Sequence, residues 1–448
     1  MEHEVAAHAV GVIGGLNPMF VATGIMIAAY AFIVTERINS AVVALIGACL
    51  MIFMGVLNQE MAIAGIDFNT IFLLIGMMIV VGITKQSGVF QYVAIYAAKA
   101  VRGNPRSLLI VLGLITAIFS AFLDNVTTVM LIVPITLLLT EQLKLNAYPF
   151  LFSQIFYSNV GGTATLIGDP PNILIGSALG FSFMDFVYNA GPAVLLIILF
   201  LVVFFDFVWG RKMKTSLKAI AHLLKYKPEE AIMDSGLLKK SLFVLVLVIG
   251  GFILGHPLGF ETGTVALAGG ALLMLLTIYD LKPGEQNHKV HHFFHEVEWD
   301  SIFFFIGLFV IVAGVESTGL LGILGNKLIG LTGGDMPLTG SVVLWSSAVV
   351  SAVLNNIPFV ATMIPLIEST AEGFGGKDAI EPLWWCLVLG ACLGGNGSIV
   401  GASANVMVAT FAERAGQRMS FMKFMIMAFP LMLATVAIAA AYVWVVYF

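Results

Sequence analysis

Two aspartates lie in segments of the sequence that are otherwise apolar or neutral. Asp124 lies within the segment SAFLDNVTT, and Asp169 lies within NVGGTATLIGDPPN. Placing an ionised carboxylate in the interior of a membrane costs several kcal/mol of free energy, so such an acid usually carries a proton or binds a cation. Aspartate is also a good helix N-cap, which is the alternative role for either residue. We predict that both take part in proton or cation coupling.

Neutral oxygens and amides accompany these acids. Such groups coordinate a hard cation or form hydrogen bonds with a small hydroxylated solute. The predicted substrate-binding residues are Asn125, Thr128, Thr163, Thr165, Asn172, Asn355, Asn356, Asn396, Ser398 and Asn405. These segments contain no Lys or Arg, so a multiply charged anion would need bound cations to accompany it. The pattern therefore favours a cation or a neutral solute.

The same segments recur along the chain at a nearly constant offset of 231–233 residues. Leu123-Asp124-Asn125-Val126 corresponds to Leu354-Asn355-Asn356-Ile357, and residues 161–172 correspond to residues 394–405. The second copy has Asn355 and Ala402 in place of the two aspartates, so the coupling acids belong to the first copy. The glycines of the predicted broken helices recur as well: Gly161, Gly162, Gly168, Gly394, Gly395 and Gly401.

The composition places these segments in a membrane. Of the 448 residues, 59% are hydrophobic and only 10% are charged, whereas soluble domains carry roughly 25% charged residues. The mean hydropathy is +1.01. Uninterrupted apolar runs predict spans near 18–35, 40–58, 66–84, 190–209, 239–256, 261–279, 300–317 and 421–447.

Four longer apolar stretches are interrupted by polar residues. We interpret 107–140 and 339–370 as re-entrant hairpins, and 150–182 and 384–412 as helices broken within the membrane, where a protein-lined cavity can satisfy unwound backbone. The predicted fold is an all-α polytopic membrane protein of two repeats, 18–209 and 239–447, joined by a basic cytoplasmic linker at 210–238. Each repeat has five spans, one of them broken, plus one hairpin. Five is odd, so the repeats are inverted, and such paired interruptions indicate a transporter binding site.

The basic residues support this topology. All of the 21 Lys and Arg residues except Lys327 and Lys377 fall on one side of it. By the positive-inside rule that side is cytoplasmic, and both termini are outside. His288, His291, His292 and His295 lie in a cytoplasmic loop, where a solvated segment is favoured over a metal site. The sequence has no nucleophile–base pair and no phosphate-binding loop, so we predict no enzymatic activity, cofactor, metal site or nucleic-acid partner.

The two pairs of motifs resemble those of a known family. The segments SAFLDNVTT and NVGGTATLIGDPPN, followed by LNNIPFVATMIP and GACLGGNGSIVGASANV, are similar to the signatures of ArsB/NhaD-type permeases of the ion transporter superfamily, in the branch that includes the P protein permeases. The resemblance covers residues 20–445. It implies a carrier of the inner (plasma) membrane that works by alternating access, and it allows a homodimer or a cytoplasmic ATPase subunit as a partner.

Three functions follow from this resemblance and the residues. We predict efflux of arsenite or antimonite in exchange for protons, because arsenite is a small, largely un-ionised trihydroxy solute that suits Asn, Thr and Ser side chains. The first alternative is a Na⁺/H⁺ antiporter, in which the same aspartates bind Na⁺. The second is a Na⁺-coupled carboxylate or anion carrier, which the lack of basic residues disfavours.

Overall fold

The structure is a computed structural model that describes residues 12–35 and 37–448. The predicted outer position of the N-terminus concerns residues 1–11, which lie outside this described part. Helices of the first half are α1 (Pro18–Thr35), α2 (Ser40–Phe53), α3 (Gln59–Ala64), α4 (Phe68–Lys85), α5 (Val89–Ala100), α6 (Pro105–Phe122), α7 (Asn125–Gln142), α8 (Tyr148–Thr163), α9 (Pro170–Leu179), α10 (Phe183–Asn189) and α11 (Gly191–Val208). A short helix, α12 (Leu217–Leu223), lies in the linker.

The second half follows a similar order. Its helices are α13 (Ser235–Gly255), α14 (Thr262–Ile278), α15 (Pro283–His295), α16 (Trp299–Glu316), α17 (Leu320–Thr332), α18 (Met336–Val353), α19 (Asn356–Glu368), α20 (Ala371–Phe374), α21 (Glu381–Gly394), α22 (Ser403–Arg414) and α23 (Phe421–Tyr447). Nine helices in the described part are long and apolar enough to cross a membrane: α1, α4, α6, α7, α11, α13, α16, α18 and α23. The predicted all-α polytopic class is confirmed.

Each interrupted stretch contains two α-helices separated by a short segment that is not α-helical. Helices α6 and α7 turn at Leu123-Asp124, and α18 and α19 turn at Leu354-Asn355. In the broken helices, α8 stops before residues 164–169 and α21 stops before residues 395–402. Helix α9 begins at Pro170 and Pro171, where the missing N–H groups cost nothing because the first turn has no intrahelical partner for them.

Corresponding helices of the two halves make corresponding contacts. Helix α2 packs on α16, and its counterpart α14 packs on α4. The second helix of each broken pair contacts the hairpin of the other half: α22 contacts α7, and α9 contacts α19. The hairpin of each half therefore packs against the broken helix of the other half, and both hairpin tips reach the same region of the protein.

Each half contains a short helix, just after its third span, that was not predicted as a separate element. Helix α5 follows α4, and its counterpart α17 follows α16. Both are shorter than a membrane span, with 12 and 13 residues. Each begins just after a glycine with positive φ, Gly88 or Gly319, which allows the sharp change of direction between the two helices.

The glycines of the broken helices allow close helix packing. A methyl group added at Gly161 would overlap the backbone of Ala117 in α6, and one added at Gly394 would overlap the backbone of Ala348 in α18. Backbone cannot move aside as a flexible side chain can. The added methyl group would therefore force α8 away from α6, or α21 away from α18.

We therefore expect Gly161→Ala to destabilise the protein by about 1–3 kcal/mol, the usual cost of overpacking. The measurement is thermal unfolding of the purified protein in detergent. Gly250→Ala is the matched control, because nothing lies within 4 Å of the added methyl group. Equal melting temperatures for the two variants would show that α6 and α8 are not packed this closely.

Candidate ion and solute site

Asp169 lies at the centre of the contacts between the two halves. Its side chain is fully buried, at 0% exposure. It occupies the N-cap position of α9 but forms no capping hydrogen bond. Instead, Oδ1 accepts hydrogen bonds from Asn125 Nδ2 at 3.1 Å and from Asn356 Nδ2 at 3.5 Å. Both hairpin tips therefore contact Asp169. The geometry does not favour the alternative role of this residue as a helix N-cap.

A network of amides extends from Asp169 into the second half. Asn125 Nδ2 also donates to Asn159 Oδ1 at 3.1 Å. Asn159 Nδ2 in turn donates to Asn396 Oδ1 at 3.1 Å and to Asn405 Oδ1 at 3.0 Å. Three of these residues were predicted as substrate-binding, and Asn159 is the buried link between them. It lies two residues before the glycine pair 161–162, in the same segment as the predicted residues Thr163 and Thr165.

Several polar atoms of this buried region have no hydrogen-bond partner among the described residues. They are Asp169 Oδ2, Asn125 Oδ1, Thr128 Oγ1 and Asn396 Nδ2. Burying a polar group without a partner costs free energy, and buried polar groups in native proteins are nearly always satisfied. Three of the four atoms are oxygens, the atom type that binds Na⁺-like hard cations and protons.

Other predicted residues serve the backbone rather than an open site. Asn172 Nδ2 donates to the carbonyls of Gly162, Thr163 and Thr165 at 3.2, 3.2 and 2.8 Å. Asn405 Nδ2 does the same in the second half, with Gly395 O at 2.7 Å and Ser398 O at 2.8 Å. These two amides hold the unwound segments in place, as broken backbone within a membrane requires.

The predicted hydroxyls fix those unwound segments to neighbouring backbone. Thr165 Oγ1 donates to Ala121 O at 2.5 Å, and Ser398 Oγ donates to Ala352 O at 2.6 Å. Thr163 Oγ1 donates within its own helix to Asn159 O at 2.7 Å. The structure therefore gives these three side chains a positioning role.

Asp124 differs from Asp169 in its bonding. Its Oδ1 accepts from the Thr127 backbone N–H at 2.7 Å and its Oδ2 accepts from Thr127 Oγ1 at 2.5 Å. Asp124 is thus a true N-cap of α7. In the second half Asn355 takes this role by accepting from Ile357 N at 3.1 Å. Asp124 also lies close enough to act electrostatically on Asp169.

A cavity of about 710 Å³ leads from one side of the protein to the hairpin tips. Its wall includes residues at the ends of α2, α4 and α16, on the side to which the sequence analysis assigns most of the basic residues. Thr127, Asn355 and Ser403 lie at its inner end, directly beside Asp124 and the unwound segment of the second half. Asp169 does not line the cavity, so it lies behind this inner layer.

The cavity wall is acidic. It contains Glu296, Glu298 and Asp300, together with Lys85 and His295. Lys85 Nζ lies 3.6 Å from Glu296 Oε2, so the positive charge of Lys85 compensates the negative charge of Glu296. A cation entering the cavity would thus meet an excess of carboxylates.

Glu298 is a functional candidate that the sequence analysis missed. It precedes α16, outside the membrane-spanning helix, and accepts a hydrogen bond from Ser301 Oγ at 3.1 Å. Burial, together with the negative charge of Asp124, raises the pKa of Glu298 to about 7. Its counterpart at the repeat offset is Asp67, which caps α4. Comparing the two halves at residue 67 with the same offset of 231 residues would have found it.

Glu298 should therefore make transport depend on pH. A carboxyl with a pKa of about 7 is mostly neutral below pH 7 and mostly negative above it, so if the protein carries a cation its rate should rise as the pH passes through 7. In Glu298→Gln this step should disappear. Initial rates in proteoliposomes, measured over a pH series centred on 7, give the result.

Glu296→Gln is the matched control, because it removes an acid from the same wall whose charge Lys85 already compensates. The groups facing Glu298 are Asp124, Asp300, Lys85 and His295. A step near pH 7 that survives in Glu298→Gln would assign it to another of these groups or to Asp169.

Cys392 adds a thiol to the buried network. Its Sγ donates its one proton to Asn172 Oδ1 at 3.2 Å, so the thiol lies near Asp169 without supplying a hydrogen bond to Oδ2. The three cysteines are all free in the structure. The predicted histidines lie on α15, and one of them, His295, reaches the cavity wall. Within the described part of the chain, no three His, Cys, Asp or Glu side chains come together in a way that could hold a metal ion.

Comparison with known proteins shows which family and which proteins this chain is similar to. Residues 30–390 match the family model described as CitMHS, citrate transporter. An uncharacterized transporter of Mycobacterium tuberculosis (strain ATCC 25618 / H37Rv) is 40% identical over 432 residues, covering 96% of this chain and 98% of that protein. The P protein of Homo sapiens is 31% identical over 506 residues, covering 95% of this chain and 59% of the P protein.

The fold is shared with a solved transporter. The YdaH transporter of Alcanivorax borkumensis superposes with a TM-score of 0.60 at 11% identity, over 96% of this chain and 99% of that chain. The resemblance predicted from the motifs agrees with the relatives in class, and the similarity to the P protein agrees with the predicted branch. The family description names citrate, and none of these three proteins is named for arsenite. The chain belongs to the citrate transporter family CitMHS and is a multi-pass membrane transporter, not an enzyme.

Proposed function

We propose that the protein exchanges protons for a small cation across the membrane, with Na⁺ as the first cation to test. The observation that carries the proposal is the group of buried, unpartnered oxygens: Asp169 Oδ2, Asn125 Oδ1 and Thr128 Oγ1. Carboxylate, amide and hydroxyl oxygens are the ligands that hard cations prefer. No Lys or Arg forms an ion pair with Asp169 among the described residues, so a bound proton or cation is the charge partner that remains.

Exchange follows from competition for one carboxylate. If Asp169 holds either a proton or a cation but not both, each passage of the site across the membrane carries one of them. The acidic cavity wall would raise the local concentration of cations on the side of the membrane to which most Lys and Arg residues are assigned. We propose that this side is cytoplasmic, as the positive-inside rule indicates, and that the protein lies in the inner (plasma) membrane.

Exchange of arsenite or antimonite for protons is the second candidate. The buried amides and hydroxyls suit a neutral trihydroxy solute, and the thiol of Cys392 beside Asn172 and Asp169 favours a soft, thiol-binding element. Since Cys392 is completely buried, arsenite could reach this thiol only after the inner layer of the cavity has opened.

Citrate is favoured by the family description and disfavoured by the charges. Helix N-termini such as that of α9 can bind carboxylates, but the Asp169 carboxylate already lies at that position. Citrate would add further negative charge beside Asp169. Citrate transport would therefore require an accompanying cation.

Proteoliposomes that hold an acid-inside pH gradient, followed with a pH-sensitive dye, test the proposal. Na⁺, Li⁺, arsenite and citrate are added separately, and arsenite and citrate uptake is measured in the same preparation. We expect Na⁺ or Li⁺ to dissipate the gradient, with liposomes lacking the protein as control. Arsenite accumulation that a protonophore abolishes, without a response to Na⁺, would replace the first candidate by the second. Citrate uptake without a cation would contradict both.

A further inference from the structure

A basic pocket lies away from the central site, where the N-terminus of α6 meets the end of α11. Its volume is about 690 Å³. Four cationic side chains line it: Arg102, Arg106, Arg211 and Lys214. The lining contains no acidic residue among those that the structure describes. The pocket is thus a concave surface of one charge sign, and such surfaces attract anions.

Asp206 orients two of these cations without neutralising the pocket. Arg106 Nε and Nη2 donate to Asp206 at 2.5 and 2.8 Å, and Arg211 Nε donates to Asp206 at 3.2 Å. Arg102 and Lys214 are exposed and form no ion pair within the described residues. Four cations and one carboxylate leave an excess positive charge that is carried mainly by those two side chains.

The pocket begins where the apolar outer surface of α11 ends. Val203 is 68% exposed and Phe207 is 66% exposed on that helix. The guanidinium of Arg211 lies over the Phe207 ring at 5.6 Å. A ligand in this pocket therefore has basic side chains on one side and a surface suited to hydrocarbon chains directly beside it.

We propose that this pocket binds the phosphate headgroup of an anionic phospholipid, with Arg102 and Lys214 as the contacts that hold it. A lipid is the occupant because it alone joins a phosphate to apolar chains that can cover Val203 and Phe207. Basic pockets beside membrane helices bind such headgroups through charge. The Arg106–Asp206–Arg211 cluster links α6 to α11, so a lipid bound here would also stabilise the position of the first hairpin.

Lipid binding is measured on the purified full-length protein in a nonionic detergent. Native mass spectrometry counts retained phosphatidylglycerol and phosphatidylcholine, and thermal unfolding reports stabilisation by each lipid and by inorganic phosphate. We expect phosphatidylglycerol to be retained and to raise the melting temperature, and the other two to have little effect. Removing both contacts in Arg102→Ala/Lys214→Ala should weaken phosphatidylglycerol binding about thirtyfold, and Lys214→Gln alone about fivefold.

The control is Lys218→Ala/Lys225→Ala, which removes the same charge from exposed positions of the linker that lie outside the pocket. It should leave binding within about twofold of the wild type. Equal weakening in both double variants would replace the site by nonspecific attraction and overturn the proposal. Stabilisation by inorganic phosphate equal to that by phosphatidylglycerol would show a free-anion site and overturn it as well.

Discussion

Asp169→Asn is expected to abolish transport while leaving the protein folded. The substitution keeps the size of the side chain and can keep the hydrogen-bonded oxygen that faces Asn125. It removes the buried charge that we propose binds the proton or the cation. Because a buried carboxylate without a charged partner is itself costly, the amide should not lower stability. We expect the initial rate to fall roughly a hundredfold or more, corresponding to about 3 kcal/mol.

Two further variants separate charge from capping. Asp335 caps α18 by accepting from Leu338 N at 2.7 Å, and it lies far along the chain from the proposed site. Asp335→Asn should transport normally, since asparagine caps a helix as well as aspartate does. Asp124→Asn keeps its cap in the same way and removes a charge beside Asp169 and Glu298; we expect a loss of roughly tenfold. A folded Asp169→Asn protein that exchanges protons at the wild-type rate would rule out the proposed site.

The sequence was sufficient to predict the long helices because the relevant signals are local or periodic. Span length and apolar composition predict the helices, since hydrocarbon leaves the backbone few alternatives. Both hairpin turns were expected from the polar pairs at Asp124 and Asn355, and both lie where the polar residues interrupt the apolar runs. Even the relation between the halves was visible, because one offset connects all the motifs.

The roles of individual polar residues could not be predicted in this way. Asn172 and Asn396 have the same residue type and lie in corresponding glycine-rich segments, yet one holds backbone carbonyls and the other joins the amide network. Residue type gives the available hydrogen-bonding groups, whereas the partner depends on which helices cross. Asp124 and Asp169 show the same limit, since both occupy N-cap positions and only Asp124 forms the cap.

The amide network also suggests how the two halves could move together. Each hairpin tip contacts Asp169, and Asn159 connects the first half to Asn396 and Asn405 of the second. Helices α7, α9, α19 and α22 all begin in this region, so their N-terminal dipoles favour a negative charge at its centre. Neutralising that charge with a proton or a cation would weaken its electrostatic interaction with several helix N-termini at once. Such a change is the differential interaction that a conformational switch requires.

Asn159→Leu should therefore stop transport even though it removes no charge. The substitution is close in volume, but it takes away one acceptor and two donated hydrogen bonds. Each buried group that loses its partner costs about 1–3 kcal/mol, and the direct link between the halves is lost. We expect a moderately lower melting temperature and an initial rate of proton–cation exchange near the level of protein-free liposomes.

Ser153→Ala on the same helix provides the control for general loss of polarity. Ser153 is equally buried, but its hydroxyl donates only within the helix, to Phe150 O at 2.8 Å. It should melt and transport like the wild type. If Asn159→Leu is destabilised but transports at the wild-type rate, the amides serve packing alone and coupling between the halves must pass elsewhere. If its transport is lost at temperatures where it remains folded, the link through Asn159 is part of the transport cycle, because stability and activity then respond differently to the same missing contacts.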